Sequence, residues 1–369
     1  MARRFSISWR IYSIAPNAGG TSIASPWGVD ESFENWEGER KSLMARNISD
    51  LGLVIAGTRV EKMIDQLYLE LAGKNLAFRP PAYLTDQWGC PDGTPLIGVP
   101  FYLADPRLER IEDDFAEGIE SESESMRFMR HEAGHAFNYA YRIFERPDWR
   151  HTFGLYSRPY RERYKADPFS HDFVRHILGW YAQKHPDEDF AETFAVWLTP
   201  GLDWKKAYAG WPALAKLEYV DDAMRELADR EPDIHAPTED DLPVDAMRYS
   251  LEQHYSDVAD SIPIGDSRIF DGDLGNIFAT SAESPDGQPA SEFLSSHRRE
   301  IVGRISHWTG EGTHPVRQFL DLLANRAAML ELRVRGLEAS TLVELTAFGT
   351  AVMMNYRNSR TITPRDRNK

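Results

Sequence analysis

Residues 131–135 read His-Glu-Ala-Gly-His, which places two histidines four positions apart with a glutamate directly after the first. On an α-helix, side chains at positions i and i+4 lie on one face, about 5–6 Å apart at their Cβ atoms. The imidazoles of His131 and His135 can then bind one zinc ion, and Glu132 can take a proton from a water molecule on that ion. The motif therefore requires a helix here and predicts a metal site on one of its faces.

The residues around the motif also predict this helix. Apolar side chains recur at helical spacing at Met129, Ala133, Phe137 and Ala140. Upstream, Ser121 and Glu124 have the spacing of a capping box at a helix start. The alternative interpretation is two surface histidines on an ordinary amphipathic helix. With 11 histidines and 58 acidic residues in 369, chance produces at most roughly 0.05 such motifs.

A catalytic zinc ion needs a third protein ligand and leaves its fourth position to water. The pattern HExxHxxGxxH does not supply it, because Asn138 and Tyr141 stand where its glycine and last histidine would be. Residues 186–198 offer a second helix instead, with Glu188 and Glu192 on a common face. One of these glutamates can bind the metal while the other accepts the free N–H of a ligand imidazole.

Other residues of this second segment have less specific interpretations. Pro186 suits a helix start. Asp187 and Asp189 favour the positive end of the helix dipole and are predicted to face solvent. His185 is a further candidate ligand, ranked below Glu188 because its place before a proline favours a loop.

The HEAGH segment together with YAQKHPDEDFAETFA at 181–195 resembles the bacterial zinc-binding metallopeptidases of gluzincin type. The resemblance covers roughly residues 50–200, including GVPFYLA at 98–104. It implies a zincin-like domain, in which a mixed sheet precedes the HExxH helix. The ligands that it implies for one zinc ion per chain are His131, His135 and Glu188. It further implies Glu132 as general base and Glu192 as the partner of a ligand imidazole. Tyr181, seven residues before Glu188, stands where related gluzincins carry a tyrosine that can donate to an oxyanion; otherwise it is a core aromatic residue.

These implications predict hydrolysis of peptide bonds in a peptide or protein substrate. One alternative is zinc-dependent hydrolysis of a non-peptide amide, such as a cell-wall fragment, by the same residues. Another is a zinc-bound interaction protein without turnover. Glu132 argues against the last alternative, because a structural zinc ion has no use for a base and usually has four protein ligands.

Composition narrows the class of protein further. The net charge of −16 argues against nucleic acid as a main partner, because phosphate binding requires a basic surface. No apolar run approaches 18 residues, so neither a membrane span nor a membrane partner is expected. Cys90 is the one cysteine and is expected to be a turn residue without a role. Together with an N-terminus that lacks the apolar segment of a signal peptide, these features predict a cytoplasmic protein of undetermined oligomeric state.

The predicted fold class is α+β, with four parts along the chain. Residues 1–45 form an N-terminal arm, 46–230 the zincin-like catalytic domain, 231–244 a linker, and 245–369 a mainly helical C-terminal domain of unknown role. Within them we predict a helix that starts after Thr58 and ends near Gly73, strands at 82–85 and 97–102, and helices over 316–334 and 341–354. The strand at 97–102 is a candidate edge for pairing with an extended peptide. The acid-rich stretch 105–124 is predicted to be a solvated loop.

Overall fold

The computed structural model describes residues 36–116, 119–161, 164–236, 243–257 and 267–359. These residues form two compact units: one holds residues 36–111 and 120–254, and the other holds the described parts of 112–119 and 255–359. The four-part division predicted from the sequence stays a prediction. Most of the predicted arm, residues 1–35, lies outside the described residues.

Helices dominate the described chain. In chain order they are α1 (Trp36–Met44), α2 (Arg59–Gly73), α3 (Pro106–Ala116), α4 (Glu122–Ala140), α5 (Pro147–Phe153), α6 (Pro186–Leu198), α7 (Trp204–Ala207), α8 (Ala213–Leu227), α9 (Leu251–Asp257), α10 (Asp271–Ile277), α11 (Ala290–Ser296), α12 (Arg298–Thr309), α13 (Thr313–Met329) and α14 (Glu338–Ser359). The strands are β1 (Ala82–Thr85) and β2 (Ile97–Pro100). This composition is mixed but mostly helical, consistent with the predicted α+β class. None of these helices has both the length and the apolar character needed to cross a lipid bilayer.

The described sheet is smaller than the predicted mixed sheet, because it consists of two parallel strands with Ala82 opposite Ile97. Strand β2 is also shorter than predicted, since residues 101–104 turn into a 3-10 helix. On the other edge of β2, Gly98 exchanges both backbone hydrogen bonds with Gly89, at N···O distances of 2.7 and 3.3 Å. The edge predicted to accept an extended peptide is therefore already paired at Gly98.

The acid-rich stretch 105–124 was wrongly predicted as a loop. Most of it is helix α3 and the start of α4. Leu108 and Ile111 lie three positions apart on α3 and are buried. An apolar face of this kind favours a packed helix even where the sequence is rich in acidic residues.

Two contacts hold α4 in the first unit. Arg130 on α4 donates from Nε and Nη2 to the two carboxylate oxygens of Glu70 on α2, each at 2.7 Å. Four residues on, Gly134 faces α6 so closely that an added Cβ atom would lie 2.8 Å from the Cα atom of Ala191. The backbones of α4 and α6 therefore meet directly. This approach brings side chains of α4 within reach of the first turn of α6.

The second unit packs helices α10 to α14 around an apolar core of its own. Its largest fully buried side chains are Phe278, Phe293 and Phe319. The predicted helices over 316–334 and 341–354 correspond to α13 and α14, although α13 ends at Met329. At Gly349, α14 comes close enough to Ile305 of α12 that no Cβ atom fits.

The contact at Gly134 generates a prediction about stability. We expect Gly134→Ala to lower the free energy of unfolding by about 1–3 kcal/mol, because the new methyl group meets backbone atoms of Ala191 that cannot rotate away. Urea denaturation measures the change. Gly275→Ala is the matched control, because Gly275 lies on α10 with open space around it. The free energy of unfolding of this variant should rise by up to about 1 kcal/mol, because alanine lowers the entropy of the unfolded chain. Equal stability of the Gly134→Ala and wild-type chains would contradict the close helix contact.

Candidate metal centre

Helix α4 presents the two histidines of the motif to the interior. The predicted capping box at its start is present: Glu124 N–H donates to the Ser121 side chain, and the Glu124 carboxylate accepts from Ser121 N–H. His131 and His135 lie more than two turns further along and are buried, with 0% and 4% of their surfaces exposed. The predicted helix and the inward direction of its histidines are thus observed.

Helix α6 begins at Pro186, as predicted, and His185 is its N-cap residue. The Nδ1 atom of His185 accepts the N–H of Asp187 at 3.2 Å, and its Nε2 atom lies 2.8 Å from the carbonyl oxygen of Arg158. Both ring nitrogens are thus engaged away from the histidines of α4. His185, the alternative candidate ligand, instead fixes the start of α6, so that Glu188 falls in its first turn.

Among the described residues, His131, His135 and Glu188 form the group that could hold a metal ion. The two Nε2 atoms lie 3.1 Å apart, and Glu188 Oε2 lies 3.1 Å from one and 3.2 Å from the other. In a tetrahedral site with bonds of about 2.0–2.1 Å, ligand atoms are separated by about 3.3–3.4 Å. The three atoms therefore have nearly the spacing of one face of such a site.

Each imidazole has an acidic residue of α6 next to its second nitrogen. His131 Nδ1 lies 2.9 Å from Glu192 Oε1, and Glu192 Oε2 accepts the N–H of Ile177 at 2.8 Å. His135 Nδ1 lies 3.1 Å from Asp187 Oδ2. When Nδ1 carries the proton of each neutral ring, Nε2 directs its lone pair toward the other two ligand atoms. Three converging lone pairs repel one another unless a cation lies between them, which suits a metal ion.

Asp187 and Asp189 are buried, so the prediction that they face solvent is wrong. Asp187 accepts hydrogen bonds from the Tyr139 hydroxyl at 2.6 Å and the Asn138 amide at 2.7 Å. Asp189 forms an ion pair with Lys216 at 2.7 Å. The first turn of α6 is covered by α4 and by other parts of the unit, which the acidic composition alone did not indicate. The sequence signal that could have identified Asp187 as a site residue is its position next to Glu188.

Glu132 lies beside the three ligand atoms with none of its surface exposed. Neither of its carboxylate oxygens has a hydrogen-bond partner among the described residues. Burial raises the pKa of Glu132 to about 7, although the neighbouring His131 and His135 act in the opposite direction. A buried carboxylate without a partner is costly, so its retention here calls for a ligand or a chemical role.

The charges of the centre shift the pKa values of its side chains. Burial favours the neutral form of His131, but its hydrogen bonds with Glu188 and Glu192 outweigh burial and raise its pKa to about 9. Burial alone would raise the pKa of Glu188, yet the nearby His135 and His131 lower it well below its usual value. The acids of α6 therefore favour positive charge at the position of the two imidazoles.

Two phenols meet at the other oxygen of Glu188. Tyr181 and Tyr160 donate to Glu188 Oε1 at 3.0 and 2.5 Å, and their hydroxyl oxygens lie 3.0 Å apart. Burial raises the pKa of Tyr181 well above its usual value, which keeps it a neutral donor. Tyr160 was not predicted, because it lies in the long connection between the two site helices and carries no motif or spacing signal.

Cys90 is not a member of the metal group. Its Sγ atom lies 3.1 Å from the carbonyl oxygen of Thr94, within the turn between the two strands. Burial is the main cause that raises its pKa well above the usual range, and the charge of Glu132 adds to this effect. Cys90 is therefore a neutral thiol, the form that does not bind metals.

Comparisons of the chain with protein-family models, with curated proteins and with solved structures find no significant match. The chemistry of the chain is therefore inferred from the geometry of this centre. That geometry defines a buried His-His-Glu group able to hold a metal ion, with an unpartnered carboxylate at its side.

The convergence of the three ligand atoms predicts about one metal ion per chain. We expect Glu188→Ala to bind zinc much more weakly, because loss of even an outer partner of a metal ligand costs about 10–100-fold in affinity and loss of a ligand costs at least as much. Elemental analysis of the purified protein and titration with a competing chelator measure both quantities.

The matched control is Glu218→Ala, at an exposed position of α8, which should keep the wild-type metal content. Equal zinc content in the Glu188→Ala and wild-type proteins would contradict the assignment of this ligand. Absence of metal from the wild-type chain under metal-replete conditions would contradict the site itself.

Proposed function

We propose that this chain is a zinc-dependent metallopeptidase of gluzincin type that hydrolyses peptide bonds in a peptide or protein substrate. The observation that carries the proposal is Glu132, a buried carboxylate without a hydrogen-bond partner beside three converging ligand atoms. In this proposal, the unit that contains α4 and α6 is a zincin-like catalytic domain.

The donor set supports zinc as the metal. Two imidazole nitrogens and one carboxylate oxygen, on three protein side chains, form the ligand set of many catalytic zinc sites. A structural zinc ion would be expected to have four protein ligands, whereas the group found among the described residues has three. A site for magnesium or calcium would be expected to consist of oxygen atoms.

The proposed mechanism assigns one task to each residue. A zinc ion held by His131, His135 and Glu188 would polarise the scissile carbonyl group and lower the pKa of a water molecule at the site. Glu132 would take the proton of this water as it attacks the carbonyl carbon. It would then pass the proton to the leaving amine, acting first as general base and afterwards as general acid.

The surrounding acids and phenols would keep this geometry in place. Glu192 holds the imidazole of His131 at Nδ1, and Asp187 Oδ2 lies 3.1 Å from Nδ1 of His135, so both rings have an acidic partner on the side away from the metal position. Tyr181 donates to the ligand Glu188 in this structure. In the proposed reaction its hydroxyl would turn from Glu188 and donate its one proton to the oxyanion of the tetrahedral intermediate.

The decisive variant is Glu132→Gln. It keeps the size of the side chain and removes its basicity, and Glu132 is not one of the three ligands. We therefore expect unchanged zinc content and a kcat lowered by roughly 10²–10⁴-fold, the usual contribution of a positioned general base. Zinc analysis and cleavage of a mixed peptide library followed by mass spectrometry measure the two quantities.

Glu218→Gln, an amide substitution on the exposed face of α8, should keep both zinc and activity. Wild-type turnover by Glu132→Gln would contradict the proposed mechanism. If the zinc-loaded wild-type chain cleaves no peptide but releases amine from a non-peptide amide, the substrate class is non-peptide amides and not peptides.

A further inference from the structure

The metal centre is closed to solvent in this structure. The exposed fractions of His131, Glu132, His135 and Glu188 are 0%, 0%, 4% and 1%. A hydrolase has to admit both water and substrate to such a centre, and many enzymes do so by moving a loop. This inference rests on the proposed function, since only a centre that turns over substrate needs an entrance.

Residues 155–160 lie against the centre and are attached at three successive points. The Tyr156 hydroxyl donates to Asp92 Oδ1 at 2.5 Å, the carbonyl oxygen of Arg158 lies 2.8 Å from His185 Nε2, and the Tyr160 hydroxyl donates to Glu188 Oε1 at 2.5 Å. These three points lie before β2, at the N-cap of α6 and on the proposed metal ligand. The segment thus spans the approach to the first turn of α6.

The outer side of the same segment faces solvent. Leu155 is 64% exposed, and residues 157–159 are exposed as well. The chain enters the segment at Gly154, whose φ of +108° is open to glycine and strained for other residues. Besides the three polar contacts, the rings of Tyr156 and Tyr160 contact Phe144 and Lys184. Attachment through these few side chains after such a glycine suits a segment that detaches and returns.

Tyr160 and Tyr181 differ in mobility, although both donate to Glu188 Oε1. Tyr181 is buried on a 3-10 helix directly ahead of α6, whereas Tyr160 is half-buried and belongs to the exposed segment. When Tyr160 leaves, Tyr181 still holds the carboxylate of Glu188 in place. Departure of Tyr160 would therefore open the centre without releasing the ligand.

We propose that residues 155–160 form a strap that opens and closes the metal centre, with Tyr160 as its latch on Glu188. Closing excludes bulk water from the centre, and opening admits the substrate. Tyr156 anchors the strap from its other end and touches none of the four residues of the centre. The strap can therefore be loosened at Tyr156 without altering the ligands.

The test uses the full chain and compares Tyr156→Phe with wild type. The phenylalanine retains the ring that stacks on Phe144 at 4.2 Å between centroids and loses the hydroxyl, with its hydrogen bond to Asp92 and its interaction with Tyr139. We measure the rate of zinc transfer to a chelator, and hydrogen exchange of the amides of residues 155–160. Both should become roughly three- to tenfold faster, the range expected for one lost hydrogen bond. The equilibrium affinity for zinc should stay the same, because a gate changes the rates of entry and exit equally.

Four further variants extend the comparison. Asp92→Ala removes the acceptor from an exposed position and should reproduce the effect of Tyr156→Phe, with no added effect in the double variant. Tyr160→Phe should increase both rates and also weaken zinc affinity, because Glu188 loses one of its two donors. The control is Tyr68→Phe on α2, which loses a 2.8 Å hydrogen bond to the carbonyl oxygen of Pro80 and should match wild type in every measurement.

Wild-type rates of zinc transfer and of hydrogen exchange in both Tyr156→Phe and Asp92→Ala would overturn the strap. Neither readout needs peptide turnover, and hydrogen exchange can be measured on the metal-free chain. A protein that shows the accelerated exchange but cleaves no peptide would therefore support the strap and contradict the proposed function. A protein that cleaves peptides with unchanged exchange in these variants would support the function and refute the strap.

Discussion

The direct contact between α4 and α6 is the constraint on which the rest of the candidate site depends. Gly134, inside the HExxH motif, lets the backbone of α4 rest on Ala191 of α6. Only at this separation do the imidazoles of His131 and His135 reach the carboxylate of Glu188 on the neighbouring helix. A side chain at position 134 would push the helices apart and separate the three ligand atoms. The glycine of the motif therefore has a packing role next to the metal-ligating role of the histidines.

Burial and charge then make the centre suited to a cation. Glu188, Glu192 and Asp187 lie within one helix and are all buried, an arrangement whose mutual repulsion must be balanced by positive charge. The pull of these acids on positive charge is visible at His131, whose hydrogen bonds with Glu188 and Glu192 raise its pKa to about 9 despite burial. A metal ion would supply this positive charge. In the proposed function, Glu132 is the general base, and its carboxylate is buried at the same place. The proposed strap would control access to this centre.

Local features of the chain predicted the elements that carry the site. The spacing of His131 and His135, the capping box at Ser121 and the proline at 186 lead to two helices with the observed starts, because helix periodicity and caps act within a few residues. The pairing of Glu188 with these histidines followed from the chemistry of zinc and from a resemblance. Two predictions that rested on composition were wrong. The acidic stretch at 105–124 is largely helical, and Asp187 and Asp189 are buried, since composition does not show which neighbours cover a segment.

The sequence by itself determined the two helices, the placing of His131 and His135 on one face of the first, and Glu132 directly after His131, because each of these features depends on residues a few positions apart. Only the tertiary structure decided that Asp187 lies beside His135, that Tyr160 donates a hydrogen bond to Glu188, and that the centre is closed to solvent. These contacts join residues that are far apart in the chain. Asp187 and His135 are 52 positions apart, and Tyr160 and Glu188 are 28 positions apart. No local propensity encodes such pairs, which form only when the packing of α4 on α6 has placed the helices and the connection between them.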